Sequence, residues 1–183
     1  MSKIQTNKIQ HTENGAAEFT LPTSDGTNGQ VLKTNGSGVL SFGTDQGGKI
    51  LQVVHGSTTT FFYTTSSTMA DIGLSASITP SSSSNKILVF GNIGGIETSG
   101  DNYGGGELLR DSTVIIADID RGIGFTGDST RQGTNSSFFI LDSPSSTSSL
   151  TYKVRFRIPA GGGNISTQTN GSRSAITLME VVA

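Results

Sequence analysis

The 183-residue chain has no cysteine and no tryptophan, only two histidines, and few charges. Without cysteine there are no disulfides and no thiolate metal ligands, which fits synthesis in a reducing compartment and stability obtained by packing or by association. Asp, Glu, Lys and Arg supply 14% of the residues, against roughly a quarter in an average globular domain. Uncharged hydroxyls take their place, with 26 serines and 24 threonines. A net charge of −2, a pI near 5.6 and no cluster of Lys or Arg leave no electrostatic footprint for a phosphate backbone, so nucleic acid is not an expected partner. No apolar run approaches the roughly eighteen residues of a membrane span. The start, Met1-Ser2-Lys3-Ile4-Gln5, also lacks the apolar stretch of a signal peptide, so the expectation is a soluble protein with no membrane insertion and no ordinary export.

Helix formers are scarce as well, and the 25 glycines interrupt nearly every window of helical length, which argues against long helices. Disorder would require high net charge or few strand formers, and β-branched runs are frequent here. An all-β fold with one core and an extension is therefore expected.

The extension is residues 1–48. It holds a near-repeat, Lys3-Ile4-Gln5-Thr6-Asn7 and Lys8-Ile9-Gln10-His11-Thr12, then Glu18-Phe19-Thr20-Leu21-Pro22 and a hairpin signature at 25–43. In that signature Val31-Leu32 and Val39-Leu40-Ser41-Phe42 flank Asn35-Gly36-Ser37-Gly38, and glycine and asparagine tolerate the positive φ a hairpin turn needs. The arm's apolar residues, including Ile4, Ile9, Phe19, Leu21, Val31 and Leu32, are too few and too spread out to enclose a core. Residues 43–48, Gly43-Thr44-Asp45-Gln46-Gly47-Gly48, read as a linker, and a second unit is expected over 49–183.

That unit carries ten strand candidates, at 49–55, 58–65, 74–79, 86–93, 107–110, 113–118, 136–142, 150–158, 165–169 and 175–182, separated by Gly, Ser, Asp and Pro clusters. Such spacing predicts a sandwich or jelly roll. In Leu150-Thr151-Tyr152-Lys153-Val154-Arg155-Phe156-Arg157-Ile158 the even positions are apolar and the odd ones polar, so one face is expected to be buried and the other wet. The continuous runs 86–90 and 114–117 suit strands covered on both faces, either in the sandwich core or at a subunit interface. Leu88, Phe90, Val114 and Ile116 are accordingly candidates for a contact between subunits.

The pattern Asp25-Gly26, Gly29-Gln30-Val31-Leu32, Gly36-Ser37-Gly38 and Leu40-Ser41-Phe42 resembles anchor segments of bacteriophage tail-fibre proteins, above all of marine and cyanobacterial phages. The stretches 77–89, 149–154 and 176–181 are similar to C-terminal domains of phage fibre and tail proteins. The resemblance implies a homotrimer with a jelly-roll-like β-sandwich knob comparable in size to C1q or tumour-necrosis-factor-like domains. It also implies a chain made in the host cytoplasm and located in the virion. The arm would attach to other virion proteins, Ile4, Ile9, Phe19, Leu21, Val31 and Leu32 being the anchor candidates. The knob would contact a host-surface glycan or protein.

Motifs for chemistry are weak by comparison. Gly122-Ile123-Gly124-Phe125-Thr126-Gly127 matches a dinucleotide fingerprint, but the loop-like 128–135 leaves no helix to receive a pyrophosphate. Ser83-Ser84-Asn85-Lys86 matches S-x-x-K without the helix that would bring lysine to serine. His11 and His55 fall in separate units and form no cluster. Asp118, Asp120 and Asp128 could supply oxygens to a hard cation, although hydrogen-bonded turns use aspartate in the same way. Asn35, Asn135, Asn164 and Asn170 head N-x-S/T triplets that a serine-rich chain produces by chance. Glu97, Glu107 and Glu180 form no evident catalytic pair. No catalytic, cofactor or metal residue is therefore assigned, and no enzyme is expected. The glycine-rich loops 98–106 and 121–133 present aromatics suited to a sugar or a protein, which makes Asp101, Asn102, Tyr103, Phe125 and Arg131 candidate receptor contacts. A short fibre or spike is the expected function, a capsid decoration protein the alternative, and a small depolymerase the third possibility.

Overall fold

The computed structural model describes residues 6–10, 18–45, 49–99, 102–117, 125–126, 132–159 and 162–183. It divides into two compact units, residues 1–48 and 49–183.

In the arm, β1 (Lys8–Gln10) pairs antiparallel with β2 (Glu18–Thr20), and β3 (Gln30–Thr34) with β4 (Leu40–Thr44). The β3–β4 turn follows its chemistry. Gly36 and Gly38 take φ of 79° and 81°, the left-handed region where a Cβ is costly. The Asn35 side-chain oxygen accepts from the backbone N–H groups of Ser37 (2.8 Å) and Val39 (3.2 Å). From β2, the Thr20 N–H donates to the Gly38 carbonyl at 2.7 Å, so the two ladders are joined through the turn.

The second unit is a sandwich. Its six-stranded sheet contains β5 (Ile50–Thr58), β6 (Phe62–Thr64), β8 (Lys86–Ser99), β13 (Gln132–Asp142), β15 (Asn164–Thr167) and β16 (Ser174–Val181). The four-stranded sheet runs β11-β10-β14-β7, from β7 (Ala70–Ile78), β10 (Gly105–Arg110), β11 (Thr113–Ile116) and β14 (Leu150–Arg157). The pairings β5 with β16, β7 with β14, β8 with β13 and β10 with β11 are nested one inside the next. First pairs with last, second with last but one, and so inward to a hairpin, which is the winding of a jelly roll. A short ladder joins β9 (Asn102–Tyr103) to β12 (Phe125–Thr126).

The core lies between the sheets. Ile72, Leu74 and Ile78 of β7, together with Tyr152, Val154 and Phe156 of β14, meet Ile87 and Val89 of β8 and Ile176 and Leu178 of β16, all essentially buried. Each such side chain contributes about 1.5–3 kcal/mol by leaving water. Strand β14 alternates as its sequence predicts, every even position from 150 to 158 being buried.

Other boundaries moved. Strand β8 continues to Ser99 rather than ending at Ile93 because Gly94-Gly95 bends it without breaking it. Gly95 has φ 59°. Around it the Gly94 N–H donates to Ser174 Oγ, the Gly95 N–H to Asn135 Oδ1, and Thr169 Oγ1 to the Gly95 carbonyl. One side of β8 consequently pairs first with β16 and then with β15, a single 3-10 turn at Thr169–Gly171 lying between those two strands. Strand β7 starts four residues earlier than predicted and passes a bulge between Asp71 and Ser75. Of the runs 86–90 and 114–117, Ile87 and Val89 are covered within the chain by the opposite sheet, whereas Phe90 and Val114 are each 43% exposed in the single chain.

At one edge the two sheets nearly touch. A Cβ on Gly56 of β5 would lie 2.1 Å from the Ser75 carbonyl oxygen of β7. Gly56→Ala is therefore expected to destabilise the chain by about 2 kcal/mol, the scale of overpacking, read from urea unfolding; an unchanged midpoint would show that the edge can spread.

Candidate functional site

The outer faces of the two sheets differ in kind. On the four-stranded sheet, Lys153 bonds Asp71 at 2.9 Å, Arg155 Nε bonds Glu107 Oε1 at 2.7 Å, and the hydroxyls of Ser77 and Thr151 meet at 2.9 Å. Asp71 and Ser77 are exposed on this face, whereas Glu107 and Leu109 of β10, which pair with Arg155 and Lys153, are covered. On the six-stranded sheet, residues between the buried positions point outward, and the register aligns them in rows. Leu141, Leu88, Met179 and Val53 lie side by side across β13, β8, β16 and β5. The next row is Phe139, Phe90, Thr177 and His55, and the third is Ser137, Asn92, Ala175 and Ser57. Phe139 is 77% exposed. His55 Nδ1 and Thr177 Oγ1 are 3.0 Å apart, so this histidine is held in a polar pair on the surface.

Of the four interface candidates, Leu88 and Phe90 belong to this face. Val114 and Ile116 do not: they lie on β11, the edge strand of the other sheet, and Ile116 packs against the core. Run composition alone could not separate the two pairs, because strand register decides which surface each joins.

Opposite the closed β5–β7 edge, the sandwich opens into a cleft of about 160 Å3, lined by Leu108, Ile116, Phe138, Val154 and Phe156 with Glu107 among them. Beyond the cleft the sheets are clasped. Asp142, at the end of β13, accepts from Arg110 (2.5 Å) and from the Tyr152 hydroxyl (2.6 Å), both on the other sheet. Burial first, and the adjacent carboxylate second, push the Tyr152 phenol above its ordinary pKa. Burial also works against the Arg110 charge, but hydrogen bonding and attraction to Asp142 outweigh it and raise that pKa. Tyr152→Phe is expected to cost about 1.5–3 kcal/mol, one hydrogen bond to a charged group, measured by denaturant unfolding. A variant as stable as the parent would remove the clasp from the account.

A second polar knot surrounds Glu180 on β16. Its side chain is fully buried, yet it accepts from Gln52 Nε2 (2.6 Å), the Ser81 N–H and hydroxyl (2.7 Å each) and Asn85 Nδ2 (2.6 Å). Burial opposes ionisation, and these donors more than compensate, lowering the pKa from 4.5 to about 2. Serines 81–84 and Asn85 thus form a turn that holds a carboxylate and leads into β8. The S-x-x-K match at 83–86 is part of this turn.

The two candidate receptor loops come together through their backbones: Phe125 pairs with Tyr103 and Thr126 with Asn102. Asp101 and Arg131 lie outside the described residues, as do Asp118, Asp120, Asp128, His11 and Ile4. In the arm, Ile9 and Phe19 face each other across the first ladder at 54% and 40% exposure. Val31, Leu32, Val39 and Phe42 of the hairpin are also exposed, and Leu21 is half-buried.

Among the described residues, no three of His, Cys, Asp and Glu are grouped to hold a metal ion, and no helix is long and apolar enough to cross a membrane. The carboxylates of Asp142 and Glu180 accept hydrogen bonds from within the fold, which suits bracing. Compared with known proteins, the chain matches no family model and no curated sequence.

Proposed function

We propose that this chain is a structural component of a phage particle: a short tail fibre or spike, assembled as a homotrimer, that attaches through residues 1–48 and meets the host surface with the jelly roll. The observation that carries the reading is the exposure of Ile9, Phe19, Val31, Leu32, Val39 and Phe42 on two small ladders. Two-stranded ribbons with bare apolar side chains are marginal in water, so the arm functions in contact with something else. The resemblance of 25–43 to fibre anchors names that something as the virion and its own copies. In the jelly roll, the joined loops of β9 and β12 supply the contact with a host glycan or protein. The mechanism is binding alone, and copies held together make weak contacts additive through avidity.

Purified full-length chain is expected to bind host cells and to compete with intact particles for adsorption. Failure to compete, together with hundreds of copies on the shell, would instead favour a capsid decoration protein. Release of new reducing ends from envelope glycan would overturn binding alone in favour of a depolymerase.

A further inference from the structure

We infer that the outer face of the six-stranded sheet is buried against other copies of this chain, a conclusion that rests on the self-assembly in the proposed function. The contrast between the two sheets carries it. Both outer faces belong to one domain, yet over β7 and β14 one carries ion pairs and hydroxyls, with Val114 its exposed apolar side chain on β11, while the other presents Leu88, Phe90, Phe139, Leu141, Met179 and Val53 in adjoining rows. None of the twelve residues in its three rows is Asp, Glu, Lys or Arg. Depletion of charge with enrichment in Phe and Met is the composition of the central part of a protein interface.

Size points the same way. Aromatic side chains carry about 200 Å2 each. On that scale the exposed fractions of Phe139 (77%), Val53 (56%), Leu141 (51%), Leu51 (50%) and Phe90 (43%) amount to roughly 500 Å2 of apolar surface. That is near the upper end of what a monomer leaves bare. A specific contact takes roughly 800 Å2 from each partner, of which this apolar patch supplies more than half, with the polar row Ser137, Asn92, Ala175 and Ser57 at its margin. A second copy is the occupant this face fits, because rows without Asp, Glu, Lys or Arg can lie against a neighbouring copy without leaving a buried charge unpaired.

The absence of cysteine makes the test clean. Two single variants of the full chain, Leu141→Cys on this face and Ser77→Cys on the opposite one, are labelled with a maleimide, and the mass of the unaltered chain is measured by light scattering. Both positions are exposed within one chain. In the assembly the thiol at 141 is expected to react at least about tenfold more slowly than the one at 77, because labelling there must wait for the contact to open. Adding Phe139→Glu should erase the difference while the far-ultraviolet circular dichroism stays that of a β protein. An assembled chain whose two thiols react alike would overturn the sheet face and leave self-assembly standing. A monomeric chain would overturn both.

Discussion

Replacing Glu180 by glutamine is expected to lower the unfolding free energy at pH 7 by about 3 kcal/mol, the cost of weakening several charge-assisted hydrogen bonds in a buried site. The substitution keeps shape but changes chemistry. An ionised carboxylate only accepts, and all four contacts at Glu180 come from donors: Gln52, Asn85 and the N–H and hydroxyl of Ser81. A glutamine amide presents one acceptor oxygen and one donor nitrogen to them, so part of the cluster faces donor to donor. The loss falls on the β7–β8 connection, because Ser81 and Asn85 lie in it and Gln52 Nε2 also binds the Thr79 carbonyl at 2.7 Å.

The same residue gives the chain a defined acid response. The folded pKa of about 2 lies below the ordinary 4.5, so Glu180 stabilises the fold fully above the unfolded value and loses that contribution as pH falls from 4.5 through 2. The gap between parent and Glu180→Gln should therefore be constant from pH 7 to 5 and close toward pH 2. Urea midpoints along that series measure it. A gap that persisted unchanged at pH 2 would contradict the ionised state.

Severing the chain between Gly48 and Lys49 is expected to separate a folded part from an unfolded one. Every residue of the apolar core cluster lies in the second unit, from Val54 to Leu178. Residues 49–183 alone should keep the β circular dichroism and an unfolding midpoint within a few degrees of the full chain. Residues 1–48 alone should lack cooperative unfolding, since small ladders without a core cannot offset their conformational entropy. A melting transition in the isolated arm, or collapse of the jelly roll without it, would contradict the division.

What the sequence revealed was local. Alternation along 150–158 declared the buried face of β14, and Asn35-Gly36-Ser37-Gly38 declared its turn, because both signals depend on neighbours within a few residues. Gly94-Gly95 read as an end since glycine pairs commonly stop strands, and only the contacts from Asn135, Thr169 and Ser174 make the pair a bend. Glu180 was invisible as a site. Its partners are 95 to 128 residues away in the chain, and glutamine, serine and asparagine carry no distinctive motif. The exposed sheet face was half legible. Leu88 and Phe90 stood out as an apolar run, whereas Phe139, Leu141, Met179 and Val53 joined them only through the register of four strands.

Attachment through the arm is the central claim, and imaging particles that carry this chain without residues 1–48 tests it most directly. The account predicts particles that lack the appendage while the truncated chain remains folded and free in the lysate. An appendage still present at its normal position on those particles would contradict it.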